Sequence, residues 1–283
     1  MVAIVTPFAG AKVDLALLRE LVEWHIKSGT DAIVPVGTTG ESPTLSHDEK
    51  ADVIRTVVKT VKGRVPVIAG SGTNDTRTTI ENTKMAKELG ADAALVVAPY
   101  YNKPSQEGLF LHYEAVAKAV HIPICIYNVP SRSVVNILPA TVARLAKIRN
   151  IVAIKEACGS LEQCAQIHNE CDITVVSGDD SLTFPMMAQG ATGVISVAAN
   201  IIPKEMAELC AAAKKGDYKR ARQVHLKYLT LMRTLFIEPS PVPVKTAMKW
   251  MGRGTGDVRL PLCGMTEASQ AKLKDVLKAV ELV

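Results

Sequence analysis

Aromatic side chains are scarce in this 283-residue chain, at 4% of the total, and no apolar run approaches the about 20 residues that a membrane-spanning helix needs. A membrane partner is therefore not expected. The core must be aliphatic, and the 48% of hydrophobic residues is enough to build one. Blocks of five like charges are also missing, so the net charge of +5 is dispersed and a nucleic-acid partner is not expected. No two of the six cysteines (Cys125, Cys158, Cys164, Cys171, Cys210 and Cys263) have the two-residue gap of a zinc or redox motif. The first eight residues have neither a basic start nor a long apolar stretch, and Pro7 interrupts them. Reduced thiols and a cytoplasmic location are the expectation. The six histidines show no ligand spacing, and G-x-G-x-x-G, Walker and nucleophile-elbow motifs are all lacking. Neither a metal nor a cofactor is expected.

What recurs instead is a short β-branched apolar run, then a turn rich in Gly, Pro, Asn or Ser, then an amphipathic stretch. Eight such runs cover 3–6, 32–36, 65–69, 94–98, 122–127, 151–155, 173–177 and 193–197. Their ends lie 20 to 33 residues apart, enough for one strand, one helix and two loops, as in a parallel βα repeat. Little clean alternation appears within the runs, as when both sheet faces are covered. Ser46 followed by Glu49 is a capping box, Pro139 and Pro203 suit first helical turns, and Gly29, Gly63 and Gly90 suit helix ends. Eight units predict an α/β fold of the (β/α)8 TIM-barrel type, since the turn after the first run lacks the glycine-rich fingerprint of a doubly wound sheet. After residue 197 only helical patterns follow, at 204–214, 218–235, 243–251 and 266–280. The expected division is a barrel over 1–216 and a C-terminal helical appendage over 217–283.

In such a barrel, reactive side chains come from strand ends and the loops after them. Lys155 follows Ile-Val-Ala-Ile and should sit at an apolar rim, where desolvation disfavours its ammonium form and makes it a candidate Schiff-base nucleophile. An ordinary ion pair with Glu156 is the alternative. Thr38 and Thr39 lie between glycines, where hydroxyls and turn amides can approach a carboxylate, or simply face solvent. Tyr101 and Tyr127 are phenols near strand ends, able to relay protons through a threonine or to serve as aromatic plugs. Arg132 offers a planar fork to a second carboxylate, or is a plain surface arginine. The pair Asp179 and Asp180 opposes a phosphate site after the seventh run and has no histidine beside it to complete a metal site.

Five ordered segments carry a resemblance. Gly-Thr-Thr-Gly-Glu-Ser at 37–42, Pro-Tyr-Tyr-Asn-Lys-Pro-Ser-Gln-Glu-Gly at 99–108, Tyr-Asn-Val-Pro-Ser-Arg at 127–132, Ile-Lys-Glu-Ala at 154–157 and Ser-Gly-Asp-Asp at 177–180 resemble the dihydrodipicolinate synthase family. The similarity runs over essentially the whole chain, including Glu-Pro-Ser-Pro-Val-Pro-Val-Lys at 238–245. It implies a cofactor-free lyase that condenses pyruvate with L-aspartate-4-semialdehyde on the diaminopimelate route to lysine. By the same resemblance Lys155 forms the Schiff base, Thr38, Tyr101 and Tyr127 form the proton relay, and Thr39 holds the pyruvate carboxylate. Arg132 then meets the semialdehyde carboxylate, and Gly178 and Ile195 lend backbone groups near the lysine. The resemblance further implies a homotetramer of tight dimers in which Tyr101 reaches a neighbouring subunit. N-acetylneuraminate lyase and 2-keto-3-deoxy sugar-acid aldolases share barrel and lysine, and Arg132 is what separates the readings, because a polyhydroxylated aldehyde calls for neutral partners. A barrel that only binds a carboxylate is the third.

Lysine-inhibited relatives hold their effector at positions matching Ser42, Pro43, His47, Lys50, Asn74, Thr78 and Tyr100. Here Lys50 stands for a histidine, Thr78 for a glutamate and Pro43 for an alanine. A cationic ligand loses an acidic partner and meets a like charge, so weak or absent lysine feedback is expected.

Overall fold

Local sequence fixes most helix starts. Asp14, Ser46, Asp75, Ser105, Ser160, Asp217 and Thr266 each accept, through the side chain, a backbone N–H of the helix that follows. The capping box at Ser46 and Glu49 closes with both of its bonds. Pro139 and Pro203 open their helices, and Gly29, Gly63 and Gly90 end theirs with positive φ. The computed structural model describes residues 1–283 and consists of two compact units, Met1–Val67 with Ser196–Val283, and Ile68–Ile195.

The first unit begins with β1 (Val2–Ala3), the hairpin of β2 (Phe8–Ala9) and β3 (Lys12–Val13), α1 (Leu15–Lys27), β4 (Ile33–Val34) and α2 (His47–Val61). β1 and β4 pair in parallel, Val2 with Ile33 and Ala3 with Val34. Val2 also bridges Ser196, and Ile33 bridges Val67. The hairpin is not among the eight runs, because each of its strands has only two residues and no apolar period. Its signal is Gly10, whose φ of +59° suits a tight reversal.

The second unit alternates strands with helices: β5 (Ile68–Gly70), α3 (Thr76–Glu88), β6 (Ala93–Val97), α4 (Gln106–Ala119), β7 (Ile124–Asn128), then α5 (Pro130–Ser133) and α6 (Pro139–Leu145), β8 (Ile151–Glu156), α7 (Leu161–Glu170), β9 (Thr174–Ser177) and α8 (Thr183–Ala188). Its five strands form one parallel sheet in chain order, and Ser177 bridges Val194 beyond β9. Ile124, Ile126 and Ile154 are fully buried, so these strands bury their apolar runs as parallel strands flanked by helices must. Glycine sets the backbone at 193, with φ +156°, and the eighth run forms isolated bridges rather than a regular strand.

The remainder of the first unit is helical: α9 (Pro203–Lys214), α10 (Tyr218–Thr234), α11 (Val242–Trp250) and α12 (Glu267–Ala279). α10 packs on α9 and α12, and α11 on α12. All four match the sequence-based ranges to within one or two residues. No helix is long and apolar enough to cross a membrane.

Candidate active site

The parallel register of the second unit sets Tyr127 of β7 beside Lys155 of β8, and Lys155 beside Val176 of β9. Both side chains are buried, and the Lys155 Nζ lies 4.1 Å from the centroid of the Tyr127 ring. Gly178, just past β9, makes room for the lysine. A methyl group there would fall 2.9 Å from Lys155 Cε, 3.1 Å from its Cγ and 2.7 Å from the Ala157 Cβ. Lys155, Tyr127 and Gly178 thus form one cluster. The Gly178 N–H donates to the Glu156 carbonyl at 2.7 Å and the Ile195 N–H to the Ser177 carbonyl at 2.9 Å, so both amides serve the strand framework.

Glu156 is not paired with Lys155. Neighbours on a strand point to opposite faces, and the Glu156 carboxylate turns into its own buried polar pocket. There it accepts from Asn128 Nδ2 at 3.0 and 3.1 Å, from Gln163 Nε2 at 3.0 Å and from the Cys158 N–H at 2.7 Å. Burial raises its pKa against the pull of these donors. Burial also pushes the Cys125 thiol, next to Lys155 in space, up to about 12, so it stays protonated. Asp179 caps the turn after β9, accepting from the Ser181 N–H and hydroxyl. No cluster of three or more His, Cys, Asp or Glu could hold a metal ion.

Tyr101 and Arg132 are not in the cluster. Tyr101 has a φ of +73° and is 88% exposed, so its ring projects outward from the loop after β6. Arg132 sits exposed in α5, where its N–H donates to the Val129 carbonyl.

In the first unit, Thr38 and Thr39 lie in a turn after β4 in which the Gly40 and Ser42 amides donate to the Gly37 carbonyl and the Glu41 amide to the Thr38 carbonyl. Thr39 is buried. Gly40 is tightly enclosed, because a methyl group there would fall 3.1 Å from the Val36 nitrogen and 3.3 Å from the Ile4 carbonyl oxygen. The Thr6 hydroxyl donates to the Gly40 carbonyl at 2.7 Å. Beneath the turn is an ionic anchor that the sequence analysis missed. Glu41, held at φ +54°, accepts from Lys245 Nζ at 2.6 Å and from the Arg259 N–H at 3.0 Å. Lys245 also donates to the Thr6 carbonyl and lies over the Phe8 ring, while the Arg259 guanidinium forks onto Glu49. Burial lowers the Lys245 pKa, opposed by the attraction of Glu41. The overlooked signal was a single lysine inside the apolar stretch Val-Pro-Val-Lys-Thr-Ala-Met.

Of the effector-site candidates, Ser42 and Lys50 are half-buried and His47 is exposed in the first unit, and burial lowers the Lys50 pKa. In the second unit Asn74, Thr78 and Tyr100 are half-buried. The Thr78 N–H and hydroxyl both donate to the Asp75 carboxylate, and the Asn74 carbonyl accepts from Asn102.

Comparison with known proteins shows which family the chain falls in. A curated 4-hydroxy-tetrahydrodipicolinate synthase of Geotalea uraniireducens is 59% identical over 285 residues, covering 100% of this chain and 98% of the relative. The crystal structure of dihydrodipicolinate synthase from Aquifex aeolicus matches with a TM-score of 0.98 at 49% identity, over 99% of this chain and 97% of that one. The chloride-inhibited enzyme of Acinetobacter baumannii, solved in complex with pyruvate, matches with a TM-score of 0.96 at 46% identity, over 100% of this chain and 98% of that one. The fold class is thereby the α/β (β/α)8 TIM barrel with a C-terminal helical extension. The model of the dihydrodipicolinate synthetase family matches residues 1–280, and with relatives this similar over their full length the chain belongs to that family.

Proposed function

We propose that the protein is a lyase that condenses pyruvate with L-aspartate-4-semialdehyde to give 4-hydroxy-tetrahydrodipicolinate, in the diaminopimelate route of lysine biosynthesis. The observation that carries this reading is a buried lysine with a phenol ring against its Nζ and a glycine beside its stem. Lys155 attacks the ketone carbon of pyruvate, and loss of water leaves an imine. The imine withdraws electrons from the methyl group, which releases a proton to give an enamine. The enamine carbon attacks the aldehyde carbon, whose oxygen takes up a proton. The amine of the second substrate then adds to the imine carbon and expels Lys155 as the ring closes. One water leaves overall.

Tyr127 serves these proton transfers at the imine, continuing through Thr38 to Tyr101. Thr39 holds the pyruvate carboxylate by hydroxyl and turn amides, and Arg132 meets the carboxylate of the semialdehyde. Gly178 and Ile195 border the lysine, and their backbone carbonyls are the groups they can lend. The exposed ring of Tyr101 fits a role completed by a neighbouring subunit, so a homotetramer of tight dimers is proposed, working in the cytoplasm. Residues 1–216 constitute the barrel and 217–283 the appendage, whose Lys245 and Arg259 support the Thr38 and Thr39 turn. Lysine feedback is weak or absent, because Thr78 offers a cationic effector no charge of its own and Lys50 repels it.

The deciding experiment adds pyruvate and then borohydride. Mass spectrometry should find one reduced pyruvyl group on the Lys155 peptide, and a coupled assay should then favour aspartate semialdehyde over sugar aldehydes. An unmodified Lys155 peptide defeats the enzyme reading, and preference for a sugar aldehyde defeats the choice of substrate. Sedimentation in the presence and absence of pyruvate tests the tetramer, with a monomer as the contrary result. Inhibition by micromolar lysine would overturn the regulatory reading.

A further inference from the structure

The pocket that receives Glu156 lies on the face of the sheet opposite Lys155, and four side chains fill it. Asn128 and Glu156 are register partners on β7 and β8, one residue past Tyr127 and Lys155. Asn128 Nδ2 donates to both Glu156 oxygens and to Asn136 Oδ1 at 2.7 Å. Asn136 Nδ2 donates to Gln163 Oε1 at 2.7 Å, and Gln163 Nε2 returns to Glu156, to Asn136 Oδ1 at 3.2 Å and to the Ile137 carbonyl at 3.3 Å. The Ile137 N–H closes the circuit by donating to Asn128 Oδ1 at 3.0 Å. Asn128 and Glu156 are fully buried, and Gln163 nearly so.

Two of the partners, Asn136 and Ile137, belong to the connection between α5 and α6 that follows Arg132. Val134 is 63% exposed with a φ of +60°, and Ser133 bonds only within the segment, to the Val129 and Val135 carbonyls. From the other side Gln106, the first residue of α4, donates to the Asn136 carbonyl at 2.8 Å and accepts from the Leu138 N–H and the Thr141 hydroxyl. The arginine's loop is therefore held at its far end by amides on α4, β7 and α7, two of which are in turn held by the Glu156 carboxylate on β8.

We infer that Asn128, Asn136, Glu156 and Gln163, with Gln106 outside them, are positioning residues that hold the Arg132 loop for the second substrate. They touch no reacting atom. This rests on the reading that Arg132 meets the semialdehyde carboxylate, and it deepens that reading by separating the supports of the two substrates. The lysine and its glycine serve the pyruvate step, while the amide and carboxylate cluster serves the semialdehyde. A fixed guanidinium fork is needed because a bidentate contact fails when the plane tilts. The cluster fits this task, since a fully satisfied buried polar network is rigid and specifies one geometry.

The test compares Asn136→Ala and Gln106→Ala with Arg132→Ala in the intact protein. Both amide variants are expected to raise the KM for aspartate semialdehyde by about ten- to hundredfold, the effect of a shift of about 1 Å in a positioning group. Pyruvate KM and borohydride trapping at Lys155 should stay near the wild-type values. A merely structural role would lower the melting temperature and leave the semialdehyde KM unchanged, and that result overturns the inference. Equal damage to both substrates overturns it as well. If Arg132→Ala itself leaves the semialdehyde KM unchanged, the underlying assignment of Arg132 fails first, and the comparison shows which of the two is wrong. Should Asn136→Ala not fold, Gln106→Ala decides alone, because Gln106 lies outside the buried circuit.

Discussion

Adding one methyl group at Gly178 reaches Lys155 without removing any functional atom. The new carbon would stand 2.9 Å from Lys155 Cε and 3.1 Å from Cγ, against about 3.5–4.0 Å for an ordinary carbon contact. It would also stand 2.7 Å from the Ala157 Cβ, and Ala157 cannot retreat, because its N–H is bonded to the Asn128 carbonyl at 2.9 Å. The lysine stem is the flexible partner and must yield by roughly 0.5–1 Å, which moves Nζ relative to the Tyr127 ring. Overpacking of this kind costs about 1–3 kcal/mol in stability. A displacement of about 1 Å at a nucleophile can cost about a hundredfold in rate. Gly178→Ala is therefore expected to fold with a lowered melting temperature and to form the pyruvate imine about ten- to hundredfold more slowly. Quenched trapping with borohydride, counting modified Lys155 peptide against time, measures that rate directly. Adding Ala157→Gly removes the closest contact while keeping both lysine contacts, so it should restore stability more than rate. A folded Gly178→Ala protein that forms imine at the wild-type rate would refute the steric reasoning.

Three further outcomes follow from other parts of the molecule. Tyr127→Phe keeps the ring against Lys155 Nζ and removes only the phenol, so pyruvate should still bind while turnover falls by about 100- to 10,000-fold, and near-normal turnover in a steady-state assay would remove Tyr127 from the relay. Lys245→Met strands the buried Glu41 carboxylate, for which about 3–5 kcal/mol of destabilisation is expected in urea unfolding, and Lys245→Met with Glu41→Gln should recover much of it; a loss below about 1 kcal/mol in the single variant would contradict the anchor. Glu49, hydrogen-bonded by Arg259, has its pKa lowered to about 2 from an ordinary 4.5. A carboxylate depressed in this way stabilises the fold above the ordinary value, and the stabilisation fades as pH falls from about 4.5 to 2. Thermal unfolding of Glu49→Gln should therefore match the wild type more closely at pH 2 than at pH 6, and a constant gap between them would be the contrary finding.

Seven of the eight strand runs, the helices of the C-terminal part and Lys155 were legible in the sequence because each leaves a local mark. Lys155 ends an apolar run, seven of the twelve helices open on Ser, Thr or Asp, and Gly29, Gly63 and Gly90 mark helix ends. The hairpin at Phe8–Ala9 and Lys12–Val13 was not legible, since its two-residue strands carry no period. Nor was the pairing of Glu41 with Lys245 and Arg259, whose partners lie about two hundred positions away and meet only through the fold. Glu156 was legible as a residue but not in its role. A carboxylate next to a lysine in sequence reads as an ion pair, and only the alternation of a strand turns the two apart.

That alternation explains how one pair of strands can serve two purposes. Tyr127 and Lys155 are register partners, and so are Asn128 and Glu156 one step later. Each pair therefore shares a face, and the two pairs occupy opposite faces. The first face carries Lys155 against the Tyr127 ring. The second face must hold a carboxylate without a cation, and does so with amide donors from Asn128, Gln163 and Cys158. Had Glu156 stood one residue later, strand alternation would have turned its carboxylate toward the face that carries Lys155. Exchanging the carboxylate for an amide by Glu156→Gln keeps the size but forces one N–H to face the donors. The expected result is a strained Asn128 and Gln163 circuit, an Arg132 loop released at Asn136, and a Lys155 that still traps pyruvate. Loss of trapping at Lys155 in a folded Glu156→Gln protein would show that the two faces are not chemically separate.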